Sequence, residues 1–84
     1  MRQLVWSHAA AKEFDDLGAE TQESILGGLL DLLAHGRGDV TRLHGRLQGM
    51  HRLRVGRYRV RFTIEGADDF LVVRVRKRDE AYRD

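Results

Sequence analysis

Apolar residues recur at helical spacing through the first part of the chain and alternate with polar ones through the last part. Gln3-Leu4-Val5-Trp6 reads as a short strand, and Ser7 behind it is a good helix N-cap because its side-chain oxygen can accept a first-turn N–H. From His8 to Leu17, Ala10, Phe14 and Leu17 share one helical face while Lys12, Glu13, Asp15 and Asp16 take the other, and Gly18 suits a stop. A second helix is expected over about Ala19 to His35. Its stripe is Ile25, Leu29, Leu32 and Leu33, widened by Leu26 and Leu30, and Gly36 can close it. Two such helices joined by a short glycine turn make an αα-hairpin. Gly27-Gly28 conflicts with this pattern, since each glycine costs about 1 kcal/mol relative to alanine inside a helix. Two explanations stand: close approach of the first helix or of a partner, or tolerated drift.

Gly36-Arg37-Gly38-Asp39 reads as loop, and from Met50 the period becomes two. His51, Leu53 and Val55 alternate with Met50, Arg52 and Arg54; Tyr58, Val60, Phe62 and Ile64 alternate with Arg57, Arg59, Arg61 and Thr63. Gly56-Arg57 between them suits a two-residue type II′ hairpin, which pairs Val55 with Tyr58, Arg54 with Arg59, Leu53 with Val60 and Arg52 with Arg61. After a turn at Glu65 to Asp69, a last strand is expected to turn Leu71, Val73 and Val75 inward and Phe70, Val72, Arg74 and Arg76 outward. Asp79 to Tyr82 reads as a terminal turn or short helix. The fold class is therefore α+β: an N-terminal strand, a helical hairpin and a three-stranded antiparallel meander in one domain, residues 1–84. Its expected core is Trp6, Phe14, Ile25, Leu29, Leu33, Leu53, Val60, Phe62, Leu71 and Val73.

Composition sharpens the picture. With 84 residues, 42% of them hydrophobic and 33% charged, the chain is a small globular domain near the lower size limit for independent stability, so a stabilising partner is plausible. It has no cysteine for a disulfide or a thiolate zinc site. The longest apolar stretch, Ile25 to Ala34, is interrupted by Gly27, Gly28 and Asp31, and the N-terminus has no apolar signal core; a cytoplasmic protein without a membrane span is expected. The net charge of +2 conceals an asymmetry: residues 1–36 carry two basic and six acidic groups, residues 37–84 thirteen basic and seven acidic. Of the fifteen basic residues only Lys12 and Lys77 are lysines. Arginine suits a bidentate grip on phosphate, although an arginine-rich genome would leave the same trace.

The hairpin register sets Arg52 opposite Arg61 and Arg54 opposite Arg59 on the face away from the helices. Like charges directly opposite destabilise a sheet by roughly 0.2–1 kcal/mol per pair, a cost that a marginal domain has reason to avoid unless the cations are used. Arg74 and Arg76 join that face and Lys77 and Arg78 follow, making an anion site; the competing reading is a face kept soluble by charge. Other chemistries lack their parts. The two serines, Ser7 and Ser24, fall in the helical half. His8, His35, His44 and His51 show no metal-ligand spacing, and no glycine-rich segment has the order of a nucleotide P-loop. Neither metal nor cofactor is expected, and His51 alternates with the inward row.

The runs Leu43-His44-Gly45, Gly49 to Phe62 and Val73 to Arg83, with the opening strand and helical hairpin, resemble the RelE branch of the RelE/ParE toxin superfamily over nearly the whole chain. The resemblance implies a RelE-like fold and a toxin of a toxin-antitoxin pair. It also implies a metal-independent endoribonuclease that cuts messenger RNA on the ribosome, inhibits translation and is neutralised by a cognate antitoxin in a hetero-oligomer. By that resemblance the catalytic residues are Arg52, Arg54, Arg59, Arg78 and Tyr82, while Arg61, Arg74, Arg76 and Lys77 extend the RNA-binding face. The reaction is attack of a ribose 2′-hydroxyl on the adjacent phosphorus, which needs a base and positive charge around the transition state. Better-studied members carry lysines at the positions of Arg52 and Arg54, and arginine holds its proton, so the base falls to Tyr82 or His51. Many relatives have glycine and histidine where this chain has Arg76 and Lys77. The alternative is a ParE-like toxin that inhibits DNA gyrase by binding and cuts no RNA; the remainder comprises an inactive antitoxin-titrating relative and a basic RNA-binding module.

Overall fold

The computed structural model describes residues 3–66 and 68–78. Strand β1 (Leu4–Trp6) leads into helices α1 (His8–Asp15) and α2 (Ala19–His35), followed by strands β2 (Asp39–Arg42), β3 (His51–Val55), β4 (Tyr58–Glu65) and β5 (Asp69–Lys77). The five strands form one sheet in the order β1-β5-β4-β3-β2, with β1 parallel to β5 and every other neighbour antiparallel.

Ser7 fixes the first corner. Its Oγ accepts the Ala10 N–H at 3.0 Å, which starts α1, while its hydroxyl donates to the Val73 carbonyl at 2.8 Å and its own N–H to the Val72 carbonyl at 2.9 Å. A single residue thus caps a helix and ties it to β5, 66 positions away. α1 stops before Leu17, with the Asp16 N–H donating to the Lys12 carbonyl at 3.3 Å and the Leu17 N–H to the Phe14 carbonyl at 3.1 Å. Gly18 is not the stop expected of it; it is the extended residue that opens α2, and the glycine closing α2 in left-handed conformation is Gly36, at φ 67°. Within α2 the two glycines differ. A Cβ on Gly28 would lie 3.0 Å from Val55 Cγ2 and 3.6 Å from Leu53 Cδ2, whereas one on Gly27 meets nothing within 4 Å. The close approach is made by β3 and not by the first helix.

The core joins both helices to the inner face of the sheet: Ala10, Ile25, Leu29, Leu53, Val60, Phe62, Val72 and Val75 are buried, with Trp6, Phe14 and Phe70 packed against them. All four expected β3–β4 pairs are present. Gly56 takes φ +56° and Arg57 has no positive φ, as a type II′ turn requires.

Two expectations are corrected, the extent of the sheet and the phase of its last strand. The sheet is larger than a meander, because Asp39 opens strand β2 and β1 adds in parallel at the other edge. The phase of β5 slips: Arg61 pairs with Arg74 but Phe62 pairs with Val72, so Val73 is the extra residue of a bulge. Phe70 and Val72 consequently face the core in place of Leu71 and Val73, while Val75, beyond the bulge, is inward as expected. The turn or helix expected over Asp79 to Tyr82 lies outside the described residues. Among the described residues no helix is long and apolar enough to cross a membrane.

Candidate functional site

On the outer face of the sheet the register builds two rows of arginines across three strands. Arg52, Arg61 and Arg74 stand opposite one another on β3, β4 and β5; Arg54, Arg59 and Arg76 form the adjacent row. The bulge at Val73 creates this alignment, since it returns Arg74 and Arg76 to the face of Arg61 and Arg59 after Val72 has faced the core. Five of the six, Arg52, Arg59, Arg61, Arg74 and Arg76, line a single pocket, closed on one side by Leu43 and Leu47. Those leucines come from the β2–β3 connection, whose shape is held by a 3₁₀ turn at Gly45–Leu47 and by hydrogen bonds from the Leu43 N–H to the Met50 carbonyl and from the Met50 N–H to the Leu47 carbonyl, both 3.0 Å.

The arginines are not equivalent. Arg59 is buried, 8% exposed, and one terminal nitrogen donates to the Gly56 and Tyr58 carbonyls at 3.0 Å each. It therefore anchors the hairpin as well as lining the pocket, where the sequence suggests only an outward side chain. Arg54 shares the face but not the pocket; its side chain is 61% exposed and 4.0 Å from the Asp39 carboxylate, too open for that pair to contribute much. Arg74 and Arg76 are met by a carboxylate from the other half of the chain. Glu13 of α1 accepts from Arg74 Nη2 at 2.9 Å and from Arg74 Nε at 3.2 Å, and lies 3.7 Å from Arg76 Nε.

The other expected site residues lie elsewhere. Lys77 pairs with Tyr58 on the inner, helix-side face and lines a hollow with Thr21, Arg57, Tyr58 and Arg78 at the end of the β3–β4 hairpin. Arg78 continues the ladder by donating its N–H to the Arg57 carbonyl at 2.7 Å. Tyr82 lies outside the described residues. His51 is on the wrong face to act as a base in the arginine pocket: it stacks on Phe62 at 5.3 Å, which stacks on Phe70 at 4.8 Å, in a ladder against the core. Two contributors had no clear sequence signal. Glu13 belongs to a helix face that reads as solvated, and Leu47 to a loop without periodicity.

Chemically, the pocket presents five fixed cations and, among the described residues, no side chain that exchanges a proton near neutrality. It can grip a phosphodiester through forked donors and stabilise charge that grows on its oxygens. It can neither deprotonate a hydroxyl nor protonate a leaving group unaided. No cluster of three or more His, Cys, Asp or Glu able to hold a metal ion occurs among the described residues.

Known proteins share this fold. Among solved structures, the chain is similar to a YoeB/ParE toxin from Agrobacterium tumefaciens, with a TM-score of 0.78 and 18% identity over 89% of this chain and 96% of that one. It is similar to a chain of the RelB-RelE antitoxin-toxin complex from Methanococcus jannaschii, with a TM-score of 0.75 and 18% identity over 94% and 95% of the two chains. A chain of the E. coli RelBE toxin-antitoxin complex follows, with a TM-score of 0.69 and 22% identity over 88% and 93%. At these identities the likeness establishes a shared RelE-like fold. Comparison with curated proteins by sequence gives no significant match. The family described as the ParE toxin of type II toxin-antitoxin systems, parDE, matches residues 4–82. The chain thus belongs to the ParE toxin family of type II toxin-antitoxin systems, within the RelE/ParE superfamily.

Proposed function

We propose that this toxin is a metal-independent endoribonuclease that cleaves messenger RNA on the ribosome and so inhibits translation in the cytoplasm. The observation that carries the reading is the convergence of Arg52, Arg59, Arg61, Arg74 and Arg76 on one pocket beside two leucines. Forked cations suit a phosphodiester, and the apolar wall suits the face of a base. In the proposed reaction a ribose 2′-oxygen bonds to the adjacent phosphorus, the bond to the 5′-oxygen breaks, and the products are a cyclic phosphate and a free 5′-hydroxyl. The five guanidiniums stabilise the extra charge on the nonbridging oxygens. Because they keep their protons, a Tyr82 phenolate, favoured by the surrounding positive charge, is assigned the 2′ proton; the 5′-oxygen takes a proton from water, and the hydroxide so formed restores the phenolate. Arg54, on the same face outside the pocket, and Arg78 and Lys77, in the hollow at the end of the β3–β4 hairpin, are assigned contacts to the RNA strand away from the cleaved bond. A cognate antitoxin is proposed to hold the toxin inactive in a hetero-oligomer.

A second reading is favoured by two observations: the matched family is described by its ParE members, and the described pocket contains no proton-transfer side chain. In that reading the same fold inhibits DNA gyrase by binding, without cutting RNA. Purified toxin, its Tyr82→Phe variant and programmed ribosomes separate the two. Cleavage within the ribosome-bound message, lost in Tyr82→Phe, supports the ribonuclease and its assigned base; cleavage that survives in Tyr82→Phe removes the base assignment. Absence of cleavage on both ribosomes and free RNA, with inhibited gyrase supercoiling, overturns the nuclease.

A further inference from the structure

Beyond β1 the outer edge of β5 has no strand beside it among the described residues, because β1 ends at Trp6 opposite Val72. α1 crosses this edge, and Glu13 fills it. One carboxylate oxygen accepts the Val75 backbone N–H at 2.9 Å, and both oxygens accept from the Arg74 guanidinium on its Nε side. The Glu13 side chain is 24% exposed, and its carboxylate also stands near Arg76. Glu13 itself does not line the arginine pocket, but both arginines it meets do. An edge N–H could be satisfied by water or a serine. Placing a carboxylate there, where it meets two of five crowded cations, does something more.

We propose that Glu13 is a positioning residue of the phosphate-binding site: it fixes the Arg74 fork, and with it the Arg76 stem, so that both guanidiniums meet an incoming RNA phosphate without first being ordered. This rests on the RNA-binding reading of the pocket and adds to it a residue from the helical half of the chain. Physically, five like charges in one pocket repel, and long arginine side chains left to themselves spread apart. A carboxylate behind two of them holds their heads in place and lowers the repulsion, and prior ordering lowers the entropic cost of binding. Both oxygens of Glu13 already accept hydrogen bonds, so its part is to hold and not to react.

The sign of one measurement separates this from plain electrostatics. Glu13→Gln takes the net charge from +2 to +3 and keeps an oxygen to accept the Val75 N–H. If Glu13 only weakened the pocket's field, or only capped the edge, Glu13→Gln would bind RNA more tightly or unchanged. If it positions Arg74, Glu13→Gln binds more weakly in spite of its extra positive charge. The probe is a fluorescent 2′-O-methyl RNA hexanucleotide, whose blocked hydroxyl prevents cleavage, titrated at several salt concentrations. The expected result is a Kd raised by about tenfold, the scale of one charge-assisted hydrogen bond, with unchanged far-UV circular dichroism. A Kd equal to or below that of the wild type overturns the proposal. A second measurement uses the unmodified protein and needs no RNA: the Arg74 Nε–H resonance should exchange with solvent much more slowly than that of Arg54, whose side chain is open. Equal exchange rates also overturn the positioning role. Wild-type protein that fails to bind the hexanucleotide removes the RNA-binding reading, while the exchange measurement still decides whether Glu13 holds Arg74.

Discussion

Replacing Arg52 by methionine should improve the fold and impair the function. Arg52 stands opposite Arg61, with Thr41 on its other side, and lines the phosphate-sized pocket. Methionine keeps much of the apolar stem and removes only the charged head. Relief of one directly opposed like-charge pair is worth roughly 0.2–1 kcal/mol. At about 4–8 °C per kcal/mol for a domain of this size, Tm should rise by roughly 1–8 °C. One charged hydrogen bond to phosphate contributes about 1.5–3 kcal/mol, so the Kd for single-stranded RNA should rise by roughly 10- to 150-fold. The salt dependence should fall as well, by about 0.7 in the slope of log K against log salt for one lost phosphate contact. Calorimetry on the free toxin and fluorescence titration with the blocked hexanucleotide measure the two sides. Arg59→Met supplies the contrast: it removes two hydrogen bonds of a buried guanidinium to the hairpin carbonyls and should lower Tm. A destabilised Arg52→Met, or one with unchanged Kd and salt slope, would refute the view that this side chain is kept for binding at the expense of stability.

Two further predictions concern the scaffold. Gly27→Ala should stabilise by about 0.8–1 kcal/mol, since helix propensity gains and nothing stands within 4 Å of the added methyl, whereas Gly28→Ala should gain less or lose because it meets Val55 at 3.0 Å; urea midpoints compared at constant m-value decide this. Ser7→Ala should cost about 1–2 kcal/mol in the same assay, because the N-cap acceptor and the hydroxyl bonded to Val73 are lost together, and a cost below about 0.5 kcal/mol would show that this corner does not need its side chain.

What could be read from the sequence follows the range of the signals. Alternation and a glycine turn are local, so the β3–β4 register, and with it the pairing of Arg52 with Arg61 and Arg54 with Arg59, was legible to the residue. Helix α2 was equally plain, because its apolar stripe ends at a glycine that takes the left-handed conformation. Strand β2 was not: Asp39–Arg42 is four residues long and exposed throughout, so no buried side leaves a pattern. The parallel pairing of β1 with β5 is a property of the fold and not of either segment. In Phe70-Leu71-Val72-Val73 four apolar residues run together, and periodicity cannot say which one bulges; the phase chosen by the core is the one that packs Phe70 against Phe62. The site divides the same way. Its strand arginines are visible as an alternating row, but the burial of Arg59 and the contact of Glu13 with Arg74, 61 positions away, depend on tertiary packing.

The sheet solves a problem that its own sequence creates. Six arginines on adjacent strands repel, yet each part of the fold deals with some of them. Arg59 is drawn inward onto the carbonyls of its own hairpin turn, Arg74 and Arg76 are drawn to the edge by Glu13, and Arg54 lies in open solvent near Asp39. Arg52 and Arg61 line the pocket over the middle of the face, with Leu43 and Leu47 as a wall beside them. Because arginine keeps its proton, this arrangement concentrates charge without supplying an acid or a base among the described residues, which suits the proposed role of holding a phosphodiester. In the proposed reaction the proton-transfer group therefore has to come from outside the described strands. That is the place of Tyr82 in the proposed reaction.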